Sequence, residues 1–203
     1  AIVLCSEGKH FCAGADFANR SDDENSGQLY AAGVRLFRSA LPIVAAVQGA
    51  AIGGGLGLAL MPDFRVAAPE ARFSANFARL GFHQGFGLSV TLPRLVGPQA
   101  AAELLYTGRR VKGEEAVEMG LADKLAPIES VREVAHELAA EIAMSAPLAV
   151  RSIRATLREG LADAVKAATD HEAIEQARLQ TTADWKEGVA AMAERRTPNF
   201  TAS

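Results

Sequence analysis

An α/β fold with parallel strand pairing is predicted by three features of the sequence. Apolar runs rich in β-branched residues occur at residues 2–5, 43–47 and 64–67, bounded by Gly, Pro or Asp, as strands buried on both faces are. Helical candidates lie between them, at residues 27–40 and 54–60. Near Val96 the composition shifts from glycine-rich turns to an Ala, Glu and Arg-rich half with helical periodicity, so strands and helices alternate first and helices follow alone. The boundary is drawn between an α/β core over residues 1–127 and a helical region over 128–203.

The helical half carries its own punctuation. Ser130 and Glu133 read as a capping box for a helix running towards Met144. Pro147 stands where a first-turn proline sacrifices no hydrogen bond. Further on, Leu161, Val165, Ala168, Ile174, Ala177 and Leu179 fall near one stripe, which is expected to pack against the core or a neighbouring subunit.

Composition narrows the function classes. The chain has 203 residues, 49% of them apolar, enough for a sizeable core. A net charge of -3, with acids and bases interspersed, predicts no nucleic-acid face. The longest apolar stretch, residues 50–62, is glycine-rich and too short to span a bilayer, so no membrane span is expected. Two cysteines, Cys5 and Cys12, beside apolar runs suit structural reduced thiols and a cytoplasmic setting. The opening Ala1-Ile2-Val3-Leu4-Cys5 reads as a strand already under way, so further chain upstream is expected.

Two glycine-centred segments suggest chemistry performed by the backbone. In His10-Phe11-Cys12-Ala13-Gly14-Ala15-Asp16 a strand ends in small residues that let a ligand approach the main chain. In Gln48-Gly49-Ala50-Ala51-Ile52-Gly53-Gly54-Gly55-Leu56-Gly57-Leu58 three glycines open an apolar helix, whose first amides are oriented and unpaired. Two such amides converging on one point form an oxyanion hole, in which each donor is worth roughly 3 to 4 kcal/mol in the transition state. Either segment alone reads as glycines that allow tight strand-to-helix packing; the pair is more informative.

Together with their spacing, these segments resemble the crotonase superfamily, the enoyl-CoA hydratase/isomerase family. Phe11-Cys12-Ala13-Gly14-Ala15-Asp16 is similar to its F-x-A-G-A-D segment, and the stretch from Leu41-Pro42 to Gly55 to its K-P-x-I-A-A-V-x-G-x-A-x-G-G-G segment. Asp63, Ala71-Arg72-Phe73, Thr107-Gly108 with Glu114-Glu115-Ala116 and Gly120-Leu121, and Asp184-Trp185-Lys186-Glu187-Gly188 with Arg195-Arg196 extend the likeness along the chain. The resemblance implies a ββα spiral core followed by a C-terminal helical trimerisation region, in a homotrimer or dimer of trimers. It also implies that the amides of Ala15 and Gly54 polarise an acyl-CoA thioester. CoA binding would fall to Ala13, Gly14, Asp16 and Phe17 and to Arg195 or Arg196, although those arginines are equally readable as solvated charges. No cofactor is implied apart from coenzyme A within the substrate.

The departures matter as much. The resemblance places the two glutamates of family hydratases at Gly57 and Phe77, neither of which moves a proton. His83, beside Gln84 in the loop 80–87, is the leading acid/base candidate, since imidazole titrates near neutrality. Its alternative is a hydrogen-bonded loop histidine. Asp22-Asp23-Glu24 reads either as a carboxylate source over the pocket or as a solvated run. His171-Glu172-Ala173-Ile174-Glu175 starts like a zinc motif but lacks the second His, and no metal is expected. Residues 53–58 do not complete a dinucleotide fingerprint, which leaves an NAD-binding dehydrogenase only the α/β pattern and the glycines in its favour. Two readings remain: an acyl-CoA-processing enzyme with non-standard acid/base groups, and a weak or inactive acyl-CoA-binding scaffold.

Overall fold

The computed structural model describes residues 1–15 and 26–203, with the backbone alone for residues 26–29. Strand β1 (Ile2–Leu4) leads to helix α1 (Ser26–Phe37), then β2 (Ile43–Val47), β3 (Ala50–Ile52), α2 (Gly54–Leu60), β4 (Phe64–Ala67) and β5 (Arg72–Ser74). A 3-10 turn at Ala78–Leu80 precedes α3 (Leu88–Val96), α4 (Pro98–Thr107), β6 (Val111–Lys112), α5 (Gly113–Glu118) and β7 (Lys124–Leu125). Helices α6 (Val131–Ala143), α7 (Pro147–Leu157), α8 (Leu161–Leu179) and α9 (Ala183–Ala193) complete the order. Among the described residues, no helix is long and apolar enough to cross a membrane.

The strands form two sheets. One is parallel throughout, in the order β1-β2-β4-β7; the other runs β3-β5-β6, with β3 and β5 parallel and β6 antiparallel. Successive turns of the chain give one strand to each sheet and then a helical segment, as in β2, β3, α2 and in β4, β5 and the 3-10 turn, whereas the last turn places α5 between β6 and β7. The first turn follows the same course, because after β1 the chain makes a parallel bridge at Cys12 to Ala51 of β3 before α1 begins. This is a ββα spiral.

Strand β2 sits between β1 and β4 with all five residues buried. Its alternating side chains face opposite ways, as the strand period of two requires. Ala45 and Val47 join the cluster around Leu56, Phe73 and Leu88, while Val44 and Ala46 meet Val131, Ala135 and Ala139 of α6. A third cluster, with Tyr30, Val34, Phe37, Met61, Phe86, Leu161 and Val165, joins α1 to α8.

Two sequence expectations need correction. Ser130 makes no capping box: its hydroxyl turns back to Pro127 O at 3.2 Å, satisfying the turn before α6 instead. The buried line of α8 is Leu161, Val165, Thr169, Glu172 and Gln176, whereas Ile174 is 66% exposed and Ala177 lies in the open. Two polar members of that line, Glu172 and Gln176, are buried because they bond the loop they face.

Candidate functional site

The bridge between Cys12 and Ala51 builds the candidate site. Cys12 N donates to Ala50 O at 2.9 Å and Ile52 N to Cys12 O at 3.0 Å, so both segments leave the sheet in the same direction. Ala15 and Gly54 each stand three residues beyond the bridged pair. The approach is so close that a Cβ on Gly14 would lie 3.0 Å from Ile52 O, and one on Gly55 would collide with the Cys12 carbonyl. Gly53, with φ 57° and ψ -120°, redirects the chain from β3 into α2, a left-handed conformation that favours glycine. Its own amide bonds Ser74 O at 2.9 Å. The next amide, that of Gly54, has no acceptor among the described residues and opens α2. Ala13, Gly14 and Ala15 are exposed and Gly54 is half-buried, so a ligand can reach them.

Beyond Gly54 the floor of the site is aromatic. Position 57 lies one helical turn on and is buried under Phe86: a Cβ there would stand 2.5 Å from Phe86 Cβ and 2.7 Å from its Cγ. The opposite edge of the Phe86 ring lies against Gly33 of α1, where a Cβ would meet Cε2 at 2.8 Å. Tyr30 crosses Phe86 edge-on, with centroids 5.6 Å apart, and its Cε1 is 3.9 Å from where a Gly54 Cβ would be. Phe77, at the other position implied for a glutamate, is buried in a series of rings with Phe82 at 5.4 Å and then Trp185 at 4.5 Å. Both positions are therefore buried among aromatic rings.

His83 is half-buried, with Nδ1 2.9 Å from Gln84 O and its ring 6.1 Å from that of His171 on α8; none of these contacts is with Ala15 or Gly54. Gln84 bonds the Ser89 hydroxyl. Arg196 is committed to Glu187, at 2.5 and 2.9 Å, and to Glu194 at 2.6 Å, and bonding to Glu187 and then Glu194 raises its pKa. In return the Arg196 guanidinium, helped by the Asn199 amide, holds the Glu187 carboxyl down at about 2. Arg195 is exposed, in a left-handed turn at φ 58°. Asp16, Phe17, Asp22, Asp23 and Glu24 lie outside the described residues.

Sequence reasoning missed the groups that hold the loop after Leu80. Glu172 is fully buried; its carboxylate accepts from Gly87 N at 2.7 Å, Ser89 N at 2.9 Å and the Ser89 hydroxyl at 2.6 Å, which completes the start of α3. Gln176 Nε2 donates to His83 O at 3.0 Å. The spacing 165, 169, 172, 176 is a readable helical signal, but three of its four positions are polar, so it carries no apolar stripe.

A family model described as enoyl-CoA hydratase/isomerase matches residues 1–203. The chain belongs to that family. It is an enzyme of the crotonase superfamily, and the ββα spiral above is the fold of its solved relatives. The carnitinyl-CoA dehydratase of Mycobacterium avium 104 superimposes with a TM-score of 0.87 at 31% identity, over 100% of this chain and 81% of that one. The enoyl-CoA hydratase/isomerase of Pseudoalteromonas atlantica T6c gives 0.85 at 31%, over 98% and 80%. In sequence, the crotonyl-CoA hydratase of Syntrophomonas wolfei is 38% identical over 206 residues, covering 98% of this chain and 79% of that protein.

Proposed function

We propose that this enzyme binds an acyl-CoA and polarises its thioester carbonyl between the amides of Ala15 and Gly54, in a reaction other than two-carboxylate hydration of an enoyl group. The observation that carries the reading is the Gly54 amide, unbonded among the described residues at the start of α2 and beside the segment that leaves the Cys12–Ala51 bridge. Negative charge developing on a carbonyl oxygen is stabilised there by an oriented donor and by the helix dipole. Coenzyme A enters as part of the substrate, with no further cofactor. Ala13, Gly14, Asp16, Phe17 and Arg195 are the groups proposed to receive it, and Arg196 would join them only by giving up its glutamates. His83 is the acid/base candidate of this reading, and His83→Ala tests it: unchanged turnover removes it.

The aromatic floor favours a second reading, an acyl-CoA-binding scaffold with little chemistry. Turnover of a panel of acyl-CoAs beside calorimetric binding of the same compounds separates the two. Turnover above the uncatalysed rate supports the enzyme, binding without turnover supports the scaffold, and no binding overturns both.

The assembly proposed is a homotrimer or dimer of trimers. Helix α7 leaves Leu148, Ile153 and Leu157 59–76% exposed, and the last two border a cavity of about 460 Å³ with Leu60 and Leu95, an apolar surface suited to burial between subunits. Light scattering on the full protein that returned a monomer would remove this part of the reading.

A further inference from the structure

We propose that Phe86 sets the acyl specificity of the site, closing it one helical turn beyond Gly54 and selecting short acyl groups over long ones. The inference rests on the reading of Gly54 as a thioester donor and adds what lies beyond it. Residues 54 and 57 share one face of α2, and one turn separates them by about 4.5 Å along the axis. Gly54 is half-buried, whereas Gly57 is covered. An acyl chain leaving the carbonyl along this face meets Tyr30 beside Gly54 and then the Phe86 ring, which is wedged between Gly57 and Gly33. Glycine at both 33 and 57 is what admits the ring, since a Cβ at either position would collide with it.

The ring is fixed rather than mobile. Phe86 has φ 62°, a left-handed conformation that a bulky residue keeps only where its surroundings over-determine it. Here they do: Gln176 holds His83 O on one side, and Glu172 holds the amides of Gly87 and Ser89 on the other. Helix α8 thus grips the loop on both flanks and presses Phe86 into the gap between α1 and α2. The same wedge leaves no volume above Gly57 for the carboxylate, or the water, that hydration would need.

The test is calorimetric and needs no knowledge of the reaction. Butyryl-CoA and octanoyl-CoA, neither of them an enoyl thioester, are titrated into wild type, Phe86→Ala and Phe86→Leu. Wild type is expected to bind butyryl-CoA at least about tenfold more tightly, because the longer chain can be seated only by displacing the Phe86 ring from its packing between Gly57 and Gly33. Phe86→Ala is expected to remove or reverse that preference by raising octanoyl-CoA affinity, with butyryl-CoA affinity changed less than about threefold. Phe86→Leu, which keeps more of the packing, serves if the alanine variant does not fold, and should shift the preference part of the way. Wild type that binds octanoyl-CoA as tightly as butyryl-CoA overturns the proposal, as does an unchanged preference in a folded variant. Failure of wild type to bind either thioester would instead remove the thioester reading of Gly54.

Discussion

Arg154 Nε stands 2.9 Å from Asp63 Oδ2, an ion pair with both side chains at least 86% buried that ties α7 to the turn before β4. The other carboxylate oxygen takes Arg158 Nη1 at 2.9 Å, and Ile43 N at the start of β2 donates to Oδ2 at 2.8 Å. Burial is the leading influence on Arg158 and lowers its pKa against the pull of Asp63. Asp63→Asn leaves two buried guanidinium groups short of their counter-charge. A cost of about 3–5 kcal/mol is expected. In a chain of this size that is a fall of about 6–20 °C in Tm by scanning calorimetry. A shift within a degree of wild type would show that the cluster contributes nothing net.

Gly54 offers a clean separation of amide from side chain. A Cβ there meets nothing closer than Tyr30 Cε1 at 3.9 Å, and proline is well placed at a first helical position. Gly54→Ala is expected to fold and keep its function. Gly54→Pro is expected to fold but lose about 100- to 1,000-fold in turnover, the worth of one oxyanion donor. Equal activity in the two variants would take Gly54 out of the site.

Hydration of a short trans-2-enoyl-CoA should be slow. Each positioned acid or base supplies about 100- to 10,000-fold in rate, and Gly57 and Phe77 supply neither. Loss of the conjugated enoyl absorbance, followed beside a two-glutamate hydratase, measures the difference. Hydration at an ordinary rate would mean that another carboxylate reaches the β carbon.

At the C-terminus the expectation concerns pH. Glu187 has its pKa depressed from an ordinary 4.5 to about 2 by Arg196 and the Asn199 amide. A depressed carboxylate contributes stability above its unfolded pKa and loses it as pH falls through the folded one. Docking of residues 196–199 on α9 should therefore be intact above pH about 4.5 and weaken progressively towards pH 2. Amide exchange at Asn199 reports it, and in Glu187→Gln the acid-dependent component should vanish.

Much of the fold was legible because its signals are local. The run Ile43–Val47 is apolar on both faces and lies between two neighbours of its own sheet, and Gly53 to Gly55 mark a backbone turn no other residue type makes as easily. The aromatic floor was half legible: Gly57 and Phe77 announced that carboxylates were missing, but Phe86 over Gly57 is a contact between segments about thirty residues apart. Glu172 was the least legible. Two of its three partners are backbone amides, which carry no side-chain signature, and the third, the Ser89 hydroxyl, lies 83 residues away, so in the sequence it stood only as the second residue of a zinc motif without its second histidine.

The bond from Gly87 to Glu172 spans 85 residues, and this orders events during biosynthesis. At about 5–20 residues per second, a ribosome needs about 4 to 17 s after making Gly87 before Glu172 is added. Throughout that interval the nascent loop has nothing to hold Phe86 in its left-handed turn, and Phe86, Phe37 and Met61 await the helix that covers them. The emerging chain thus displays an oily surface for seconds, a natural target for ribosome-associated chaperones, and stalling translation before residue 161 should lengthen its stay on them.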